Sequence, residues 1–230
     1  INMKGGVILF IVEGPSDQDA ITAFIAKEVL EQNIKVTVKV MHGDILTRYD
    51  EHTKDYSIHS GNVKGEVKKL ILDYLNSPSV KSSHIRVNDI KKVYYMTDTD
   101  NCFLKEEVHS INKKECLRRM FNFEEIELSK NKKTEFETIF FAHNLEHVID
   151  KNSNKLSDKE KEKIASDFAV ESLLNREYFI KAFTTSLMTW NSFEESYKEI
   201  QTYEDRASNM NNLLDEIEKW KQEQNNHYLK

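Results

Sequence analysis

The chain has 230 residues, a formal net charge of −6, 31% charged residues and 39% apolar residues. That balance excludes a uniformly basic surface that coats nucleic acid. It leaves room for an enzyme acting on phosphates, because a bound metal ion supplies positive charge at the scissile group. The two cysteines, Cys102 and Cys116, form no CxxC pair, so a zinc cluster and a disulfide framework are not expected. They fit reduced thiols in a cytoplasmic protein. The first apolar run is too short for a signal peptide or a membrane span. With 12 Phe and 9 Tyr, there is still enough apolar bulk to build a core.

In chain order, Val7 to Val12 is six apolar residues, rich in β-branched types. It predicts a strand buried on both faces. The run stops at Glu13-Gly14, and a helix is expected from Ser16 to Leu30, with Ala20, Ile21, Phe24, Ile25 and Val29 facing the sheet. Asp17 falls in its first turn, where negative charge suits the helix dipole. A second strand, Lys35 to Met41, ends in His42-Gly43-Asp44. Asp44 to Asn62 reads as a polar loop whose His52 and His59 have no ligand spacing. A helix follows over Val63 to Leu75, closed by Asn76-Ser77-Pro78. The third strand, Ile90 to Met96, runs into Thr97-Asp98-Thr99-Asp100.

A short helix is expected at Glu115 to Phe121, and a basic turn at Lys130 to Lys133. Lys130, Lys132 and Lys133 read either as a solvated turn or as contacts to a nucleic-acid backbone. Phe136 to Ala142 is the fourth strand, and His143 to Ile149 enters a helix. Lys151 to Ser157 reads as a linker, and no internal repeat is visible. Ser157-Asp158-Lys159-Glu160 is a capping box opening a helix to about Leu174, and another helix is expected over Arg176 to Leu187. Ser192-Phe193-Glu194-Glu195 is a second capping box, opening a segment to Gln224 with apolar residues at helical spacing (Phe193, Tyr197, Ile200, Tyr203, Met210, Leu213, Leu214, Ile217, Trp220). That stripe reads as packing on the chain's own core or as a partner or dimer interface. The alternation predicts an α/β fold with a Rossmann-like parallel sheet of about four strands. Its expected extent is residues 1–150, with an all-helical appendage over 151–230.

Two strand ends carry acids: Glu13 and Asp17 after the first, Asp98 and Asp100 after the third. In an open parallel sheet, ligands sit at the carboxyl ends of the strands. Carboxylates converging there repel one another unless a cation sits between them. Oxygen ligands select Mg²⁺ or Mn²⁺ rather than zinc. Asp-x-Asp on extended backbone points both side chains to one side, and Glu13 and Asp17 share a face if the turn leads directly into the helix. One or two metal ions fit that pattern. A receiver domain would need its acidic pair after strand one, and a haloacid-type phosphatase would need Asp-x-Asp there. Both patterns fail here.

Val12-Glu13-Gly14 behind an apolar strand, an Asp four residues past the Glu, and a later strand ending in Asp98-Thr99-Asp100 resemble the Toprim domain. That domain is shared by topoisomerases, bacterial primases, small maturation ribonucleases and overcoming-lysogenization-defect nucleases. The resemblance covers roughly Val7 to Ile149. It implies that Glu13 is a general acid/base or a metal ligand and that Asp98 and Asp100 bind Mg²⁺ or Mn²⁺. The nuclease branch of the family also implies metal binding by Asp17, a glycine at the end of strand two, which Gly43 matches, and a later acid. Glu146 is the candidate for that acid, with Glu135 and Glu137 competing. There is no zinc ribbon, no topoisomerase tyrosine domain and no P-loop, so an ATPase would be a separate chain. The resemblance thus implies a Mg²⁺-dependent endonuclease on DNA or RNA, working alone or beside an ATPase partner in antiphage defence. The competing expectation is a non-catalytic or partner-activated subunit that docks through its helical tail.

Overall fold

The computed structural model describes residues 6–31, 36–46, 49–50, 55–100, 102, 107–150, 156–184 and 208–228. Strand β1 (Gly6–Val12) is an inner strand of a five-stranded sheet. Parallel to it run β2 (Val36–His42) on one side and β5 (Ile90–Asp98) on the other, and β7 (Lys132–Phe141) continues beyond β5. A fifth strand, β6 (Glu125–Ser129), pairs antiparallel with β7 and closes that edge, giving the order β2-β1-β5-β7-β6. Sequence reading expected about four strands. The extra one was hidden because Glu125 to Ser129 has only two apolar residues, Ile126 and Leu128, which alternate on a half-buried edge. The short pairing of β3 (Tyr49–Asp50) with β4 (Asp55–Tyr56) likewise falls inside the expected loop.

The two faces of β1 explain the layers. Ile8, Phe10 and Val12 enter one apolar cluster, and Val7, Leu9 and Ile11 enter the other, as the period of two requires. The first cluster is covered by α1 (Pro15–Asp17), a π-helical turn (Gln18–Thr22) and α2 (Ala23–Glu31). The expected single helix is therefore interrupted, and the Thr22 hydroxyl donates back to the Gln18 carbonyl across the wide turn (2.5 Å). The second cluster is covered by α3 (Val63–Asn76), α4 (Pro78–Lys81) and α5 (Val108–Phe121). Helix α5 begins seven residues earlier than its sequence suggested. Its first half is polar, so only the Cys116, Leu117 and Met120 end showed a clear apolar stripe.

Helices α6 (Leu145–Asp150), α7 (Asp158–Leu174), α8 (Arg176–Thr184) and α9 (Asn211–Tyr228) complete the first face. Phe168, Phe179, Phe183, Met210, Leu213, Ile217 and Trp220 pack into the same cluster as Ile8, Phe10 and Val12. The carboxylate of Glu216 on α9 accepts from Lys92 and from the Tyr94 hydroxyl on β5, and Arg176 joins Glu28 of α2 to Glu218 of α9. The capping box at Ser157 is present: its N–H donates to Glu160 Oε2 at 2.7 Å. The expected linker over 151–155, the second capping box at Ser192, residues Phe193, Tyr197, Ile200 and Tyr203 of the expected stripe, His52, and the expected helix end at 185–187 lie outside the described residues. Among the described residues, no helix is long and apolar enough to cross a membrane.

Gly43 follows β2 where three segments meet. Its N–H donates to the Val12 carbonyl (2.8 Å), and its carbonyl accepts from the Tyr95 hydroxyl (2.9 Å). A Cβ there would lie 2.6 Å from Ile11 Cγ2 and 2.7 Å from Leu70 Cδ2. Gly43→Ala is expected to cost about 1–3 kcal/mol through overpacking. Gly65→Ala, at a helical site where an added Cβ meets nothing within 4 Å, is expected to gain up to about 1 kcal/mol. Paired urea melts check the opposite signs.

Candidate active site

Parallel register places the acids. Ile11 of β1 lies opposite Tyr95 of β5, so two residues on, Glu13 reaches the level of Thr97. There Glu13 Oε1 accepts from the Thr97 hydroxyl and from the Asp98 N–H (3.1 Å). Asp98 ends β5 on the α6 side, where its Oδ1 accepts from the Leu145 N–H at the helix start (3.0 Å). Asp17 closes α1, and its Oδ2 accepts from the Gly14 N–H (2.9 Å). Glu146 lies in the first turn of α6 and is 3% exposed. Its charge acts on Asp17, as does that of Glu13. Asp98 in turn feels Glu13, Asp17 and Asp100. The five acids read from the sequence thus share one electrostatic neighbourhood. Glu135 and Glu137 lie earlier on β7, with Glu137 bonded to Lys92.

The two acids of Asp98-Thr99-Asp100 do not point to one side. Asp100 has φ 47°, in the left-handed region, so the extended alternation ends before it. Its Oδ2 accepts from Lys113 Nζ of α5 at 2.7 Å, across the sheet edge from α6. The turn is held by a zip to the segment after β7. The Thr99 N–H donates to the Phe141 carbonyl (2.9 Å), the Asp100 N–H to the His143 carbonyl (2.7 Å) and the His143 N–H to Thr99 Oγ1 (2.8 Å). His143 is itself left-handed, with φ 68°. Two such residues side by side mark a backbone held in place by its surroundings.

Lys113 is the residue that sequence reading missed. Its side chain is 0% exposed, and Nζ lies 3.6 Å from Glu13 Oε1 as well as on Asp100. Burial works against its ammonium, yet Glu13, Asp100 and Asp98 outweigh it and push its pKa up. The signal was present. Extending α5 backwards puts Ser110 and Lys113 on the buried face with Cys116, Leu117 and Met120. A lysine on an apolar stripe calls for an acid beneath it. Asp44, after Gly43, also acts on Glu13 and was passed over. The basic residues Lys132 and Lys133, by contrast, start β7 at the opposite end of the sheet, about 30 Å from the acids by strand rise. Lys133 is bonded to Glu125 there.

Burial pushes Glu13 up, with Asp44 and Asp100 adding to it, while Lys113 and Thr97 pull back. Burial also raises Asp17 to about 7, with Glu13 and Glu146 adding to it and the Gly14 N–H and Lys161 opposing. Asp98 is raised well above the usual carboxylate range, first by burial, then by Glu13 and Asp17. Such mutual repulsion is what a bound cation relieves. Oxygen donors of this kind suit Mg²⁺ or Mn²⁺. Among the described residues, Glu146 accepts no hydrogen bond although it is almost wholly buried. No three acidic, imidazole or thiol groups among them form a ready-made ligand cage. Two of the carboxylates, Glu13 and Asp100, are instead paired with Lys113. The donor chemistry alone suits a divalent cation. No family model, no curated protein and no solved structure matches the chain. Its class is that of an α/β protein with a mostly parallel, Rossmann-like sheet flanked by helices.

Proposed function

We propose that the protein is a Toprim-type, metal-dependent nuclease that hydrolyses phosphodiester bonds in DNA or RNA. The observation that carries this reading is the gathering of Glu13, Asp17, Asp98, Asp100 and Glu146 at the carboxyl ends of β1, β5 and β7. Asp17, Asp98 and Glu146 would hold the Mg²⁺ or Mn²⁺. That ion would stabilise charge on the phosphate and lower the pKa of a bound water. Glu13 stands beside them with its pKa raised, which moves a carboxyl toward the range useful for proton exchange. Thr97, the Asp98 N–H and Lys113 fix its orientation. Asp100 anchors Lys113 from the other side. An ATPase partner and a place in antiphage defence belong to the same proposal, since a net charge of −6 disfavours tight binding of nucleic acid by this chain alone.

The test is Mg²⁺ or Mn²⁺ titration against plasmid, single-stranded DNA and total tRNA. Glu13→Gln, which keeps shape and one acceptor, is expected to lower cleavage at least about 10²–10⁴-fold, with circular dichroism at the assay temperature checking that the variant is folded. Retained metal-dependent cleavage in that variant would sink the assignment. Metal binding without cleavage of any substrate would favour the subunit that awaits a partner.

A further inference from the structure

The outer edge of β7 changes partner part-way along. β6 and the residue before it cover it as far as the Phe136 N–H, which donates to the Glu124 carbonyl (2.9 Å). Asn209, just before α9, takes over further on. Its Oδ1 accepts from the Phe140 N–H (3.0 Å) and its Nδ2 donates to the Thr138 carbonyl (2.9 Å). Where one partner gives way to the other lies a cavity of about 570 Å³, within the size range of small-ligand sites. Lys92 of β5 lines it, and by strand rise Lys92 stands about 20 Å from Asp98. The cavity is therefore separate from the candidate active site.

Three kinds of group meet there. Phe121, Phe123 and Phe136 form an aromatic wall. Glu124, Glu125 and Glu135 supply carboxylates, and Glu125 stands directly opposite Glu135 in the β6–β7 register. Like charges so placed are destabilising. Lys133 meets part of the charge by pairing with Glu125. Glu124 and Glu135 have no hydrogen-bond or ion-pair partner for their side chains among the described residues. The ammonium of Lys92 is already bonded to Glu137 and Glu216. The third group is Thr138, which is 4% exposed. The period of two puts its side chain on the same face of β7 as Phe136, and it lines the cavity. Its Oγ1 has no hydrogen-bond partner among the described residues. A buried hydroxyl left in that state is costly unless something else bonds to it.

We propose that this cavity binds an organic cation, an ammonium or guanidinium carried on an aliphatic stem. The carboxylates of Glu124 and Glu135 take the charge, which also relieves the Glu125–Glu135 opposition. The phenyl wall takes the stem and attracts the cation to its ring faces. The Thr138 hydroxyl accepts from a second N–H of the ligand. A guanidinium satisfies all three needs, since it pairs with carboxylates, stacks on rings and has donors to spare. The same acids repel an anion. The proposal does not depend on the nuclease reading.

The assay is isothermal titration of the full chain with arginine amide and with spermidine. One saturable site per chain is expected for at least one of them. Glu135→Gln should weaken it about tenfold or more, and Thr138→Val about threefold or more. Neither variant should melt at a lower temperature, because one removes an unpaired charge and the other an unbonded hydroxyl. Glu127→Gln alters a β6 carboxylate outside the cavity lining and should change affinity by less than about twofold. A short peptide with one arginine, titrated beside arginine amide, separates the sources. Tighter binding of the peptide puts the cation on a partner chain, and tighter binding of arginine amide or spermidine makes it a free ligand. No saturable binding of any probe would overturn the proposal. So would equal weakening by Glu127→Gln and Glu135→Gln, which would reduce the effect to diffuse attraction by an acidic chain.

Discussion

Lys113→Met is expected to destabilise the protein by about 3–5 kcal/mol in divalent-free buffer, the typical result of removing one partner from a buried ion pair. Methionine fills similar volume, so the loss is electrostatic and not a cavity. Glu13 and Asp100 remain beside Asp98, and the cation that drew them together is gone. For a chain of this size the melting temperature should fall by roughly 10 °C or more. The neighbouring Lys114→Met is the control. Lys114 is only partly buried and makes no ion pair among the described residues, so its loss should stay within about 0.5 kcal/mol. Saturating Mn²⁺ should return part of the Lys113→Met loss, because the released carboxylates are then free to bind the ion and binding to the folded state adds stability. Melting curves that are the same for both variants would show that Lys113 is not the cluster's counter-ion.

How far the sequence could be read depended on the kind of signal each element carried. β1 was legible because Val7 to Val12 is apolar on both faces, and the acids after β1 and β5 followed from their place at strand ends. β6 was not, because a short edge strand needs little apolar sequence. Lys113 was missed for a related reason. It sits in Asn-Lys-Lys-Glu, which looks like a solvated helix face until the far end of α5 fixes the phase. The opposite turning of Asp98 and Asp100 was out of reach, since it depends on one left-handed residue held by the zip to His143. The stripe over Met210 to Trp220 left its own core and a partner surface open as alternatives. The described part of it packs on the core.

Asp17 carries the second large expectation, and its sign is opposite to that for Lys113. Its folded-state pKa is raised to about 7 from the ordinary aspartate value of 3.8. The folded protein therefore binds a proton that the unfolded chain releases more easily. Stability from this group is fully present below about pH 4 and is lost as pH rises through about 7. The separation corresponds to a few kcal/mol at 1.36 kcal/mol per unit. Metal-free protein should thus melt at a lower temperature at pH 7.5 than at pH 5, with other carboxylates setting the acid limit below that. Asp17→Asn keeps an acceptor for the Gly14 N–H and removes the charge. It is expected to stabilise the metal-free protein by about 1–3 kcal/mol at pH 7.5, as relief of a functional site does, and to change little at pH 4.5. Mn²⁺ should flatten the pH dependence of the unaltered protein and leave that of Asp17→Asn nearly unchanged, since the variant lacks one of the three ligands. Thermal melts at pH 4.5, 6.0 and 7.5, with and without Mn²⁺, check all four limbs. If Asp17→Asn is less stable at pH 7.5, Asp17 is held by favourable contacts and not strained by its acidic neighbours. The cluster would then be a structural network with no charge deficit for a metal ion to fill.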